Sequence, residues 1–295
     1  MELRKVQLTI AFAAVYLIWG STYLAIRIVV EALPPASSAG VRFLIAGLTM
    51  VVVGLLTGAS LPRRWSDWRS TIFVGTLMLV FGNGLVTWSE LWVPSNQAAL
   101  IVATSALWMG WMGTLGSKGE QLGAMRLIGL LVGFAGVIVL VGEGIGGGLA
   151  PWTAYAALML APIAWAVGSV VSKRSPVSIK PVMAAGLQML VAGVLLSAIG
   201  LFAGEAERWT WAPRSLWALA YLIVFGSCVA YGAFYWLVHE VSPVVLGTYA
   251  YVNPAIAVLL GWWILDERLG RDKIIGTGII LVGVLLVTLG SARKR

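Results

Sequence analysis

Three polar side chains at helical spacing in one apolar stretch are candidates for substrate binding or proton transfer. Asn83, Thr87 and Glu90 lie at i, i+4 and i+7 of the apolar stretch 71–92, so a helix places them on one face. A carboxylate at membrane depth is costly and usually faces the interior of a helix bundle or water. Glu90 is therefore a candidate for proton coupling or for pairing with a substrate ammonium group. The alternative is a glutamate at the membrane boundary that pairs with a basic residue such as Arg42.

A second polar line lies in the stretch TYAYVNPAIAVLLGWW. Pro254 has no N–H group, so the carbonyl group of Ala250 loses its helical hydrogen bond, which is costly in lipid. Tyr249 and Asn253 lie one helical turn apart and supply polar groups at the same place. We expect this face to contact substrate and Pro254 to act as a hinge. A plain kink, with its carbonyl groups bound by a neighbouring helix, is the alternative.

Aromatic residues give a third set of candidates for substrate binding. Trp19 and Tyr23 lie one turn apart, and Trp165 and Ser169 hold the corresponding positions in the second half of the chain. Tyr231 adds a further ring. Aromatic walls with a few polar groups suit amphipathic organic ligands. Many of the fifteen tryptophans lie near loops instead, where aromatic rings form belts at the membrane interface.

Several other chemistries lack their residues in this sequence. There is no GxxxxGK[ST] loop, which argues against an ATP-driven motor within the chain. One cysteine, Cys228, and one histidine, His239, provide no cluster of metal ligands, so we predict neither a metal nor a cofactor. An intramembrane protease needs two buried aspartates, and we expect the aspartates here to lie in loops. The residues therefore argue against an enzyme.

The elements that position these candidates are predicted to be membrane-spanning helices. Hydrophobic residues make up 60% of the 295 residues and charged residues only 11%, against roughly 25% charged in a soluble domain. A helix needs about 20 apolar residues to cross a bilayer core of ~30 Å. The sequence predicts an all-α polytopic membrane protein with ten spans at 6–28, 36–57, 71–92, 96–115, 123–142, 151–172, 180–203, 214–238, 243–264 and 272–290.

The basic residues indicate how the chain is oriented. The formal net charge is +8, but the Lys and Arg residues lie at the ends of spans, so we interpret them as orientation signals and predict no nucleic-acid partner. Ten spans put both termini on one side, and most of the basic residues fall on that side. The positive-inside rule therefore predicts that both termini are cytoplasmic. We interpret the first apolar run as an uncleaved span because it lacks a clear cleavage site.

The two halves of the sequence resemble each other. VFGNGLVTWSELW (80–92) aligns with VFGSCVAYGAFYW (224–236), which places Glu90 opposite Phe234. RLIGLLVGFAGVIVLVG (126–142) aligns with KIIGTGIILVGVLLVTL (273–289). We predict two five-helix units, 1–146 and 147–295. An odd number of spans inverts the second unit, and inverted repeats with a binding site between them are common in secondary transporters.

The motifs IWGSTYLAIR, ALPPASSAGVRFLIAG and YVNPAIAVLLGWWILDERLG resemble the drug/metabolite transporter superfamily, in its EamA-type branch. The resemblance implies a ten-helix inverted-repeat carrier of a bacterial inner membrane, with a central cavity lined mainly by spans 1, 3, 4, 6, 8 and 9. Similar proteins mostly export amino acids, other metabolites or drugs. The family commonly has a proline late in span 4, where this chain has Thr104-Ser105-Ala106. We therefore expect no break in span 4.

Together these features favour a secondary transporter that exports a small organic metabolite, either an amino acid or an aromatic or amphipathic compound, by alternating access. Coupling to protons through Glu90 is a hypothesis. The alternatives are a membrane scaffold or accessory subunit and, less favoured, a polytopic membrane enzyme. The expected partners are the lipid bilayer and a small-molecule substrate. Glycine rows at Gly129/Gly133/Gly136 and Gly276/Gly283 fit either packing inside the bundle or a homodimer contact.

Overall fold

In the computed structural model, residues 2–113, 115, 123–142, 151–175, 177–241, 246–247, 249–266 and 270–292 are described, and most of them are helical. The α-helices are α1 Glu2–Val30, α2 Pro35–Leu56, α3 Trp65–Ser89, α4 Ser95–Val102, α5 Ser105–Met112, α6 Ala124–Gly142, α7 Trp152–Arg174, α8 Pro181–Phe202, α9 Pro213–Glu240, α10 Tyr249–Leu265 and α11 Arg271–Ala292. Two of them contain a π-helical section, Thr76–Gly84 in α3 and Leu222–Tyr231 in α9.

The long apolar helices confirm an all-α polytopic membrane protein. Within the described residues, six helices are long and apolar enough to cross a membrane: α1, α2, α3, α7, α8 and α9. Shorter apolar helices lie in α6, α10 and α11. The count of ten crossings, the inversion of the second half and the division into 1–146 and 147–295 stay predictions, and residues 143–150 around that boundary lie outside the described part of the chain.

Span 4 is broken, contrary to the expectation drawn from its missing proline. Helix α4 ends at Val102 and α5 begins at Ser105. Between them the backbone changes to i→i+3 hydrogen bonds, because the N–H group of Thr104 donates to the carbonyl oxygen of Ile101 at 3.1 Å. The Thr104 hydroxyl donates to the same carbonyl at 2.7 Å. The Thr104 side chain therefore binds local backbone at the break, where span 4 has no proline.

Helix α4 is covered by protein on all sides. Its residues from Ser95 to Ile101 are buried, including the polar side chains of Asn96 and Gln97. The hydroxyl of Tyr155 in α7 donates to the Gln97 side-chain oxygen at 3.0 Å. The polar start of α4 is therefore held by neighbouring helices and does not meet lipid.

Close packing through glycine joins α2 to α8. Both helices carry glycines seven residues apart, at Gly40, Gly47, Gly54 and at Gly186, Gly193, Gly200. A Cβ atom at Gly47 would lie 2.7 Å from the backbone nitrogen of Leu190, and one at Gly193 would lie 2.6 Å from that of Leu44. Only glycine allows the two backbones to approach this closely.

A second glycine contact joins α6 to α11. A Cβ atom at Gly136 would lie 2.6 Å from the backbone nitrogen of Ile280, and one at Gly283 would meet the backbone of Gly133. The glycine rows that suggested either internal packing or a homodimer contact therefore pack against each other inside the chain. A homodimer stays a prediction, and the glycine rows no longer support it.

Buried acidic residues hold the N-terminal ends of α2 and α8. Glu205 is 4% exposed, and its carboxylate accepts a hydrogen bond from the backbone N–H of Ser37 at 2.7 Å, in the first turn of α2. The Asp67 carboxylate accepts a hydrogen bond from the Ser178 hydroxyl, just before α8. Asp67 lies in the first turn of α3, where the sequence predicted a loop. A carboxylate at a helix N-terminus binds free N–H groups and complements the helix dipole.

The glycine contacts predict a sharp difference between two substitutions in α11. Gly283→Ala is expected to lower the melting temperature of the purified protein, because the added methyl group meets the backbone of α6 and overpacking costs about 1–3 kcal/mol. Gly278→Ala is the matched control, since no atom lies within 4 Å of its added Cβ. Equal melting temperatures for the two variants, measured by thermal unfolding in detergent, would contradict this helix packing.

Candidate functional site

A cavity with a free volume of about 70 Å³ lies among helices from both halves of the chain. Its described wall comes from α1, α3, α4, α7, α9 and α10, the helices that the family resemblance named, and from α2, which it did not. The wall residues are Trp19, Thr22, Tyr23, Ile26, Arg42, Phe43, Leu79, Gly82, Asn83, Val86, Val102, Ala161, Trp165, Gly226, Tyr231, Tyr249 and Asn253. The cavity is smaller than the ~300–1,000 Å³ of a drug-sized ligand pocket. A ligand of that size requires the helices to move.

The apolar side of the cavity is an aromatic cluster. Phe234 is fully buried, and its ring centroid lies 4.9 Å from that of Trp19 and 5.2 Å from that of Trp165. The Trp19 and Trp165 rings meet edge to face at 5.3 Å, and Tyr249 meets Trp19 in the same way at 5.7 Å. These separations are typical of favourable aromatic pairs. The cluster gives the cavity a rigid wall that fits an aromatic or other flat apolar group.

The π-helical sections of α3 and α9 place backbone against the cavity. They occupy aligned motifs, VFGNG and VFGSC, so Gly82 aligns with Gly226 and Asn83 with Ser227. The Trp19 indole N–H donates to the carbonyl oxygen of Gly226 at 3.1 Å. π-helical sections are rare and are often found at functional sites.

Arg42 forms the charged part of the cavity wall, and sequence reasoning missed it. Its side chain is 4% exposed. The guanidinium donates from Nε to the Ser227 hydroxyl oxygen at 2.8 Å and from Nη1 to the Asn83 side-chain oxygen at 3.3 Å. We considered this arginine only as a surface partner for Glu90. An ionisable residue inside a membrane span usually marks a functional site, and Arg42 lies inside the span that contains VRFLIAG. The sequence could have indicated Arg42 as a site residue on this ground.

Glu90 is fully buried but does not belong to the described wall of the cavity. It follows the last turn of α3, and the Arg27 guanidinium donates to its backbone carbonyl oxygen. Glu90 is an acid enclosed by protein near one end of the bundle. Its function, and its place relative to the membrane boundary, stay predictions.

Two further predicted site residues also lie behind the wall. Thr87 donates its hydroxyl to the carbonyl oxygen of Asn83 at 3.0 Å, and Ser169 donates to that of Trp165 at 2.8 Å. Both hydroxyl groups bind the preceding turn of their own helix. The structure thus brings Trp19, Tyr23, Asn83, Trp165, Tyr231, Tyr249 and Asn253 together around the cavity. Their assignment to substrate binding stays a prediction.

The contacts of Asn253 explain how an asparagine fits inside this apolar helix. Helix α10 runs without a break through Pro254, whose role as a hinge stays a prediction. Asn253 is 3% exposed. With its amide nitrogen facing the two acceptors, it donates to the carbonyl oxygens of Tyr16 in α1 at 3.1 Å and of Tyr249 at 3.3 Å. The asparagine therefore binds backbone acceptors at membrane depth and links α10 to α1.

A helical membrane protein with a partly aromatic cavity among helices of both halves is typical of a transporter. Comparison with known proteins gives the family. The chain belongs to the EamA-like transporter family, whose sequence pattern matches residues 8–142 and again residues 152–289. It is therefore an integral membrane transporter, and its family indicates transport rather than enzymatic activity.

Relatives and a solved structure agree with this family. The chain is 40% identical over 284 residues to the uncharacterized inner membrane transporter YedA of Escherichia coli K12, covering 95% of this chain and 90% of YedA. It is 26% identical over 294 residues to the uncharacterized transporter YvbV of Bacillus subtilis, covering 100% and 95%. A solved crystal structure at 24% identity shares the fold, with a TM-score of 0.70 over 99% of each chain.

The contacts of Asn253 predict a pH-dependent loss of stability on one substitution. Asn253→Asp is expected to lower the melting temperature more at pH 8 than at pH 5, because an ionised carboxylate faces two carbonyl oxygens whereas the protonated acid keeps one donor. Asn253→Ala is the control, since it loses the donor without adding a charge, and its deficit relative to wild type should be the same at both pH values. A pH-independent deficit in Asn253→Asp would show that this amide does not face the carbonyl groups.

Proposed function

We propose that the chain is a secondary carrier that moves a small organic metabolite across the membrane by alternating access around the central cavity. The observation that carries this proposal is the central cavity, whose wall combines an aromatic cluster with the polar groups of Arg42, Asn83 and Asn253. Such a wall fits an aromatic or amphipathic substrate that also carries a polar group. A scaffold has no need of a cavity lined in this way.

Contacts at both ends of the bundle support alternation between two states. At one end, the Arg4 guanidinium pairs with the Glu240 carboxylate at 2.9 Å, and the Lys173 ammonium donates to the carbonyl oxygen of Val241 at 2.6 Å. At the other, the Ser215 hydroxyl donates to the carbonyl oxygen of Ile28 at 2.7 Å. In this proposal, access alternates as one of these sets separates while the other holds.

Orientation and direction of transport rest on the sequence. The distribution of Lys and Arg places both termini in the cytoplasm, so the end with Arg4 and Glu240 faces the cytoplasm in this proposal. Export is the direction that the family resemblance favours. The broken stretch between α4 and α5, at Ala103–Thr104, gives a second point besides Pro254 at which the bundle can bend.

Transport is tested with purified protein in sealed proteoliposomes. The panel is labelled amino acids and aromatic metabolites, with and without an imposed pH gradient. Saturable flux of one class of compound is the expected result, and flux that is linear and equal to that of protein-free liposomes for the whole panel would contradict the proposal. Trp19→Ala, which removes the centre of the aromatic wall, should reduce the saturable component.

Coupling to protons is a separate part of the proposal and is assigned to Glu90. Glu90→Gln is expected to abolish the stimulation of flux by a pH gradient and to retain substrate exchange without a gradient, because the amide cannot take up and release a proton. Glu31→Gln is the matched control, since Glu31 is 41% exposed and pairs with Arg214 at the surface. Gradient stimulation that survives in Glu90→Gln would remove this residue from the coupling mechanism.

A further inference from the structure

We propose that Arg42 binds a carboxylate group of the transported compound, so that the substrates are monovalent organic anions or zwitterions with an apolar body. This inference rests on the proposed transport function and adds the chemical class of the substrate to it. Arg42 is the group through which the cavity distinguishes a carboxylate from its amide or ester.

The charge of Arg42 has no compensating acid in the described part of the chain. Its partners there are neutral, namely the hydroxyl of Ser227, the amide of Asn83 and the ring of Phe43, whose centroid lies 4.8 Å from the guanidinium carbon. An arginine stays protonated in proteins, and a buried charge is normally paired. Arg42 therefore has no acid among its direct partners in the described part of the chain, and a bound carboxylate can take that place.

The neutral partners fix the guanidinium and leave part of it for a ligand. Nε and Nη1 are held by Ser227 and Asn83, while Nη2 points toward Gly226, where a Cβ atom would lie only 3.3 Å away. The absence of a side chain at Gly226 keeps this edge open. A planar guanidinium with free N–H groups matches the geometry of a carboxylate and binds it more strongly than a neutral acceptor.

The second half of the chain has a neutral residue at the position that corresponds to Arg42. When the glycines of α2 and α8 are aligned, Arg42 falls on Gln188. Gln188 is buried too, and its side-chain oxygen accepts a hydrogen bond from the Tyr231 hydroxyl at 2.5 Å. One half thus contributes a neutral pair and the other a cation. A single cation fits one negative charge, which favours a carboxylate over a phosphate dianion.

The rest of the wall describes the body of the substrate. Trp19, Trp165 and Tyr249 line the same cavity as Arg42, so a compound that carries a carboxylate beside an aromatic ring or a flat apolar group can contact both. A ligand that has the carboxylate but no apolar body contacts less of the aromatic wall. A ligand that has the apolar body but no carboxylate leaves the charge of Arg42 without a partner. Both parts are expected to contribute to affinity.

The test measures binding separately from transport, by the thermal stability of the purified protein in detergent. The probes are 3-phenylpropanoate, its amide 3-phenylpropanamide, the amine 3-phenylpropylamine and phenyl phosphate. A ligand that binds the folded state raises the melting temperature by an amount that grows with the logarithm of its concentration above Kd. We expect 3-phenylpropanoate to stabilise the wild type at concentrations at which the other three compounds do not.

Substitutions then assign the effect to Arg42. Arg42→Gln, which installs the residue of the aligned position in α8, should weaken 3-phenylpropanoate binding by roughly tenfold or more, because hydrogen bonds to a charged group are lost. Arg42→Lys should retain part of it. Arg214→Gln, which removes a cation that is 58% exposed, is the matched control and should bind like the wild type.

A second variant tests the same site with the charge intact. Gly226→Ala places a methyl group 3.3 Å from Nη2 of Arg42 and 3.1 Å from the Thr22 side chain, so it should weaken 3-phenylpropanoate binding even if Arg42→Gln fails to fold. Stabilisation of the wild type by the amide as strongly as by the carboxylate overturns the inference. Stabilisation by phenyl phosphate alone, no response to the carboxylate, or a carboxylate response that survives both cavity variants also overturns it.

Flux measurements separate this inference from the proposed function. Saturable transport of neutral or cationic compounds, without preference for carboxylates, keeps the carrier and removes the role of Arg42. Carboxylate binding that depends on Arg42 but is accompanied by no flux of any bound compound keeps the site and removes the carrier.

Discussion

The buried guanidinium of Arg42 is the interaction on which the arrangement of the cavity depends. It binds Asn83 in α3 and Ser227 in α9, which are aligned residues of the two halves, and so ties both π-helical sections to α2. A cation can be kept at this depth only if surrounding dipoles hold it and water or a ligand balances it. The glycine contact between α2 and α8 sets where that cation lies, because α2 can approach α8 this closely only through residues without a side chain.

Most of the fold followed from the sequence because helices in a membrane have strong and local signals. Apolar length, turn residues between spans and basic residues at their ends marked the six long apolar helices of the described residues, although α3 begins at Trp65 and its span was predicted from residue 71. The break in α4/α5 was missed because proline was treated as its necessary cause. At the break the Thr104 hydroxyl binds a backbone carbonyl, but Thr22 makes the same contact inside the continuous helix α1, so this residue type gives no clear signal in the sequence.

The site was predicted in part, and the errors have a common physical origin. Trp19 and Tyr249 were predicted as wall residues because aromatic rings at helical spacing in the middle of a membrane span often line a cavity. Glu90 and Ser169 lie behind the wall of the cavity, and their role in substrate binding stays a prediction. Helical periodicity gives the face of a residue, whereas its depth depends on the π-helical sections and on how far neighbouring helices approach.

The complete burial of α4 has a consequence for the synthesis of the protein. Because Ser95, Asn96 and Gln97 are covered by other helices, this eight-residue segment gains little from lipid on its own and is a weak candidate for independent insertion. Its partner Tyr155 lies in α7, which emerges from the ribosome later. The contacts that bury α4 are therefore complete only after α7 has been synthesised.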